Sequence, residues 1–229
     1  MKKLVCGKNS VFEAIANGVA IEVLYVLKPI TIPNPNITVK IITRPAMDAL
    51  TSLNHQGFVA QLAQDFHYCN LDEFIRSRPP VILALDHIED PQNLGAIIRS
   101  ANAAGIRHII LPKARAAAVN ATVWKVSSGG LANMRIARVG SLQASLHKLQ
   151  QHQYWLYAAA LTGAAQSYAT LRYNFPLVLI IGNEAKGISP SLLKQSDQQV
   201  YIPLRGSVQS LNASVACGIL LFEIAKHLD

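Results

Sequence analysis

The sequence predicts an α/β protein whose main sheet is mostly parallel. Three observations carry that expectation. From residue 79 onward, short apolar runs of strand length alternate with helical stretches. Two of those runs, Val81–Leu85 and Leu177–Ile181, are apolar at every position. A parallel strand covered on both faces needs that pattern. A smaller module with a different rhythm comes first and ends at Pro79-Pro80.

In the first module, Asn9 or Ser10 can cap a helix over Val11–Asn17, stopped at Gly18. Val23–Leu27 has the length and composition of a strand. Thr31–Asn36 is a loop, because two prolines exclude a helix. Ile37–Thr43 reads as a second strand, Pro45–Asn54 as a helix and Phe58–Leu62 as a strand. Such a module is near the lower size limit for independent folding. A polar helix over Asn70–Arg78 then leads into the double proline, which stiffens the connection.

In the second part, strands are expected at Val81–Leu85, His108–Leu111, Arg135–Val139, Tyr154–Leu161, Leu177–Ile181 and Val200–Pro203. Helices are expected at Asn93–Ala104, Val119–Val126, Ser141–His152, Ser189–Lys194 and Ser210–His227. Gly105 closes the first of these helices, and Ser210 is the expected N-cap of the last.

Composition narrows the function. The chain has 229 residues, 51% of them hydrophobic, enough for a substantial core. No uncharged apolar run reaches about 18 residues, so no membrane span is expected. The N-terminus lacks the apolar run and cleavage site of a secretory signal. Cys6, Cys69 and Cys217 are far apart and have no C-x-x-C spacing, which argues against structural zinc and a disulfide framework. A reducing, cytoplasmic location follows as the simplest expectation. The net charge is +8, of which +6 lies in residues 79–229. A polyanionic partner, nucleic acid first, fits that excess.

Several chemistries fail on their motifs. There is no G-x-G-x-x-G, H-E-x-x-H or G-x-S-x-G. His87-Ile88-Glu89 matches the H-x-E of a zinc deaminase, but its P-C-x-x-C partner is absent. Gly182 and Gly187 have phosphate-loop spacing, yet Ile188 stands where that loop requires lysine.

Three segments that follow strands are polar in an unusual way, and ligands of parallel sheets bind beyond the carboxyl ends of strands. The first runs from Asp86 through Asp90-Pro91-Gln92-Asn93-Leu94-Gly95 to Arg99-Ser100-Ala101. Asp90 can cap its helix with Pro91 as first helical residue, or Asn93 can cap one that starts later. Gly95 in the first turn needs a reason, such as close approach of a backbone or ligand. Arg99 stands on an otherwise small and apolar helix. The second segment is Gly182-Asn183-Glu184-Ala185-Lys186-Gly187, and the third is Ile202-Pro203-Leu204-Arg205-Gly206 through Ser210-Leu211-Asn212-Ala213-Ser214. Polar side chains beside the free N–H groups of a helix start make a plausible ligand cradle.

Together, and in this order, the three segments resemble the SpoU (TrmH) family of RNA ribose 2′-O-methyltransferases. The first is similar to its D-P-x-N-x-G-x-x-x-R-[ST]-A motif, the second to G-x-E-x-x-G, the third to I-P-x-x-G-x-x-x-S-L-N-x-S. Cys6–Ile15 resembles the start of the small ribosomal-protein-like substrate-binding module of some members, the bacterial 23S rRNA guanosine-2′-O-methyltransferase subgroup being nearest. Ser127-Ser128-Gly129-Gly130 departs slightly from the family's Ser-Ala-Gly-Ala.

The resemblance implies an RNA-binding domain over 1–66, a linker over 67–80 and a methyltransferase domain over 81–229 with a deep trefoil knot. Ordinary topology rules would not predict the knot. It also implies S-adenosylmethionine as cofactor, no metal, a homodimer, and attack of a ribose 2′-oxygen on the sulfonium methyl. Arg99, Asn93, Glu184, Ser210 and Asn212 match the family's catalytic positions, and Gly182, Ile202 and Leu211 its cofactor-contacting positions. Arginine is normally always charged, so phosphate positioning and alkoxide stabilisation suit Arg99 better than proton abstraction. The substrate expected is a guanosine of 23S rRNA. A tRNA, or non-catalytic RNA binding, is the alternative.

Overall fold

The computed structural model describes residues 3–228 of the chain. A four-stranded sheet and a seven-stranded sheet divide it. The first contains β1 (Leu4–Cys6), β2 (Ile21–Val26), β3 (Thr38–Ile41) and β4 (Phe58–Leu62), with helices α1 (Lys8–Ala16) and α2 (Arg44–Asp48) between them. Its order is β1-β4-β2-β3; β4 runs antiparallel to both neighbours, and β2 pairs parallel with β3. Sequence reading missed β1, whose three residues are too few to show periodicity. It also made α2 too long. The Thr43 side chain caps α2 by accepting from the Ala46 N–H, but the chain turns before Thr51-Ser52.

Helix α3 (Leu71–Ser77) leads out of this sheet. Asn70 and Glu73 form a reciprocal capping box: the Asn70 side chain accepts from Asp72 N–H at 3.1 Å, and Glu73 accepts from Asn70 N–H at 2.8 Å. Its Phe74 is fully buried in a cluster with Ile82, Ala84 and Ile110. The segment is therefore packed against the large sheet rather than hanging free between two bodies.

The large sheet is built from β5 (Val81–Leu85), β6 (His108–Pro112), β7 (Arg135–Val139), β8 (Trp155–Ala159), β9 (Gln166–Ser167), β10 (Leu177–Ile181) and β11 (Gln198–Tyr201). Its order is β7-β6-β5-β10-β8-β11-β9, and every pairing is parallel. All five residues of β5 and all five of β10 are buried, as their continuous apolar sequence predicts. Two-residue β9 is polar and carried no signal in the sequence.

Four helices complete the fold after β5: α4 (Pro91–Ala103), α5 (Ala121–Val126), α6 (Leu142–Gln151) and α7 (Pro190–Gln195), followed by α8 (Ala213–Ala225) at the end. Asp90 caps α4 with Pro91 at its first position, which settles the choice between Asp90 and Asn93. The expectation that Ser210 caps the last helix is corrected. Asn212 does so, accepting from the N–H groups of Ser214 at 2.8 Å and Val215 at 3.4 Å. Its amide oxygen lies at the helix start, whereas Ser210 is two residues too early.

The two sheets share one apolar core. Val11 and Ala14 of α1 belong to the same buried cluster as Val123, Trp124 and Leu131. Within that contact the Ser10 hydroxyl donates to the Trp124 carbonyl at 3.1 Å and is itself buried. Gly95 owes its place to packing: a Cβ there would lie 2.6 Å from Val126 Cβ, so α4 and α5 meet closely at that point.

Candidate active site

Three strands of the large sheet deliver the site. The loop after β5 carries Asp86–Asp90 into α4, the loop after β10 carries Gly182–Ser189, and the chain after β11 runs to Asn212 at the start of α8. Parallel strands end at a common edge, so all three loops meet there.

Asn93, Glu184 and Asn212 form one hydrogen-bonded set. Asn93 Nδ2 donates to Glu184 Oε1 at 2.7 Å, and Asn212 Nδ2 donates to Asn93 Oδ1 at 3.0 Å. Asn212 Nδ2 also donates to Glu184 Oε1. The orientation of both amides follows from the helix. The α8 N–H groups require an acceptor, so Asn212 Oδ1 must face them. Its N–H₂ is then aimed at Asn93 Oδ1, which turns the Asn93 N–H₂ toward the carboxylate. These residues are 91 and 119 positions apart in the chain, one from each polar segment.

Beneath this set the loops are tied at a buried level. Asp86 is 2% exposed and accepts from the Ser189 N–H at 2.8 Å. Its other oxygen lies 2.5 Å from His87 Nδ1. The Asn183 side chain donates to the His87 carbonyl at 2.9 Å and accepts from Ala185 N–H at 2.9 Å and Lys186 N–H at 3.2 Å. Two backbone bonds between Asn183 and Gly187, at 3.1 and 2.8 Å, close the loop that presents Glu184. Gly182 makes this closure possible, because a Cβ there would sit 2.3 Å from the Gly187 carbonyl carbon. Sequence reading did not single out Asp86 or Asn183. The signal available was a polar residue within two positions of the end of each fully apolar strand.

A cavity of about 170 Å³ lies beside the set. Ile202, Ser210 and Leu211 line it, together with Leu161, Leu204 and Leu220, so its walls are apolar with a hydroxyl at the rim. Of the three residues expected to touch a cofactor, Ile202 and Leu211 line this cavity and Gly182 instead abuts Gly187. Pockets that enclose drug-sized ligands hold roughly 300–1,000 Å³. At about 170 Å³ this one would take only part of an S-adenosylmethionine molecule.

Arg99 stands apart from the trio. It is exposed on α4, six residues past Asn93, which on a helix is about 9 Å along the axis and about 120° around it. Its Cα faces the 3-10 turn Gly130–Asn133, where a Cβ on Gly130 would lie 3.5 Å away. Ser210 lines the cavity without joining the trio. The arrangement thus offers a fixed carboxylate with two amides, a largely apolar cavity next to them, and an exposed guanidinium on a neighbouring face.

Comparison with known proteins adds two kinds of finding. The sequence profile of the SpoU rRNA Methylase family matches residues 80–222, and that described as RNA 2′-O ribose methyltransferase substrate binding matches residues 4–67. A Staphylococcus haemolyticus protein is 33% identical over 238 aligned residues, spanning 97% of this chain and 95% of its own. Its name places it among TrmH family tRNA/rRNA methyltransferases. Among solved structures, an AdoMet-bound rRNA methyltransferase from Sinorhizobium meliloti superposes with a TM-score of 0.81 at 27% identity, covering 100% of this chain and 88% of that one. The SpoU methyltransferase AviRb from Streptomyces viridochromogenes, in complex with AdoMet, shares the fold with a TM-score of 0.81 at 22% identity, over 98% and 89% of the two chains.

Proposed function

The chain belongs to the SpoU rRNA methylase family of RNA methyltransferases, and on that premise we propose that it methylates a ribose 2′-oxygen of RNA, most specifically a guanosine of 23S rRNA. The observation that carries this reading is the meeting of Asn93, Glu184 and Asn212 beside an apolar cavity, since each comes from a different polar segment. Residues 1–66 would capture the RNA and residues 81–229 would perform the transfer, with 67–80 joining them.

S-adenosylmethionine supplies a methyl group already activated by its sulfonium charge. Ile202 and Leu211 would hold its apolar part, and Gly182 would shape the loop beside it. Glu184, held by the two asparagine amides and exposed, keeps lone pairs that could accept from a hydroxyl. Ser210 offers a further hydroxyl at the cavity rim. Arg99 would engage the RNA phosphate and stabilise negative charge developing on the 2′-oxygen, because a guanidinium stays protonated at any working pH. Holding both partners at near-attack distance is the larger share of the task.

Two finer features belong to the same reading. After β11, at the far side of the sheet, the chain returns to lay α8 against α4, a path compatible with the trefoil knot proposed for this domain. On α8, Val215 and Phe222 are half exposed, with Ile219 between them on one face. Residues at that spacing form an apolar stripe, which suits a homodimer. No helix among the described residues is long and apolar enough to cross a membrane, and a cytoplasmic location agrees with an RNA substrate.

The test is to map 2′-O-methylation across total rRNA and tRNA in cells with and without the gene. Loss of one guanosine site in 23S rRNA supports the reading. Loss at a tRNA position replaces the substrate and keeps the chemistry. An unchanged map, together with no S-adenosylmethionine binding by calorimetry, makes the protein a non-catalytic RNA binder.

A further inference from the structure

The same sheet edge carries a second, larger cavity of about 730 Å³, next to the ends of β6 and β7. Lys113 follows β6 directly, and Arg138 is the second-to-last residue of β7. Tyr68 and Asn70 also line it. Cys69 pairs in parallel with Ala137, so residues 68–70 add a short rung beyond β7. Strand spacing of about 4.8 Å sets β7 about 10 Å from β5, so this cavity is separate from the one beside Asn212.

Its charge is uncompensated. Asp72 and Glu73 are the carboxylates that follow Asn70 and Leu71, and both already face cations: Lys148 at 2.5 Å and Arg135 at 2.6 Å. Lys113 and Arg138 form no ion pair among the described residues. Arg138 gives one Nη2–H to the Lys113 carbonyl at 2.8 Å, while its Nε is buried without a partner. A guanidinium has five N–H donors, so most of this fork is unspent.

The guanidinium is also held in place. Its carbon lies 5.4 Å from the centre of the Tyr68 ring, within cation–π range. Tyr68 in turn is fixed by Phe66, whose ring meets it edge-on at 5.2 Å, and by the Val119 N–H, which donates to its hydroxyl at 2.9 Å. A pre-set arginine fork beside a flexible lysine matches a phosphate: two parallel N–H bonds plus a point charge. Arg115, exposed two residues past Lys113, widens the basic surface.

The geometry points to a phosphodiester-binding subsite at Lys113 and Arg138, taken by the backbone of the RNA substrate at a position outside the reacting nucleotide. This rests on the RNA methyltransferase reading above and adds where the strand leaves the site. A phosphate contact carries no sequence information; it fixes register and orientation.

The test is fluorescence anisotropy with a labelled RNA hairpin bearing single-stranded flanks, titrated with the full chain between about 50 and 200 mM KCl. Lys113→Gln and Arg138→Gln are each expected to weaken binding roughly five- to tenfold and to lower the salt slope by about 0.7–1. S-adenosylmethionine affinity by calorimetry should be unchanged, since neither residue lies near that cavity. Arg138 also packs on Tyr68, so exposed Lys113→Gln is the decisive variant if Arg138→Gln unfolds. Wild-type affinity and salt slope in Lys113→Gln would overturn the subsite. A wild-type chain that binds S-adenosylmethionine but no RNA would instead sink the RNA reading itself.

Discussion

The two sheets solve the same packing problem differently. In the large sheet, β5 and β10 are buried at all ten positions and have parallel neighbours on both sides. In the small sheet, edge strand β3 has no fully buried residue, and Ile41 is 59% exposed. A strand covered on both faces has little freedom, so the loops that leave its end start from fixed points. That is where Asn93, Glu184 and Asn212 are assembled. The small sheet keeps an open edge instead, which suits a surface that must accommodate a partner. On the proposed reading, chemistry sits on the rigid frame and recognition on the looser one.

If this contrast is sound, equivalent truncations should have very different costs. Leu83→Ala in β5 is expected to destabilise the protein by about 2–5 kcal/mol, because a fully buried leucine leaves a cavity. Ile41→Ala in β3 should change stability by no more than about 0.5 kcal/mol. Urea denaturation of both variants measures the difference. Equal costs would mean that β3 is covered in solution and that the contrast between the sheets is false.

Arg99→Ala separates frame from chemistry. Arg99 is exposed and outside the hydrogen-bonded trio, so its loss should leave the fold and S-adenosylmethionine affinity near wild type. Methyl transfer to RNA should fall by about 10²–10³, the usual cost of losing a group that stabilises developing charge. Turnover with tritiated cofactor on a confirmed RNA substrate reads this out. Normal turnover would remove Arg99 from the reaction.

How much of this was legible beforehand depended on signal length. Five-residue apolar runs marked β5 and β10, and the Asp-Pro pair marked the start of α4. The trio could be named from the residues of three motifs, but its contacts could not. They join residues 91 and 119 apart, and no local pattern encodes which loops a parallel sheet brings together. The N-cap of α8 was misplaced because Ser210 and Asn212 have equally good capping chemistry. Only the position of the helix axis decides between them. The role of Gly95 was open for a similar reason: its close neighbour, Val126, belongs to another helix. The Lys113–Arg138 cavity left no trace either, since two cations 25 residues apart form no cluster in sequence.

Asn212 joins the frame to the site, and its variants should split those roles. Asn212→Ala removes the cap of α8 and a donor to Glu184, with an expected stability loss of about 0.5–2 kcal/mol. Asn212→Asp keeps an acceptor for the Ser214 and Val215 N–H groups but loses the N–H₂ aimed at Asn93 and Glu184. Thermal melts should place the aspartate variant above the alanine variant, while both lose methyl transfer. Full activity in Asn212→Asp would show that the amide contacts to Asn93 and Glu184 do not orient the site.

The smallest expected effect near neutrality comes from His108, at the start of β6. Burial, with Arg135 and Arg107 nearby, lowers its pKa to about 4, and the Phe74 ring packs edge-on against it at 4.9 Å. An unfolded histidine titrates near 6.5. Between those values the unfolded chain binds the proton and the folded chain does not, so stability rises with pH across that window. The contribution is complete above about pH 6.5 and is lost as acid approaches pH 4. His108→Leu removes the titrating group, and its urea midpoint should be flatter than wild type from pH 6.5 to 4 and parallel to it above pH 7. His108 has no carboxylate partner among the described residues, so nothing offsets the cost of charging it in place. Acid should therefore loosen the frame at β6, and a His108→Leu midpoint that falls as steeply as wild type from pH 6.5 to 4 would show that this histidine carries none of the effect.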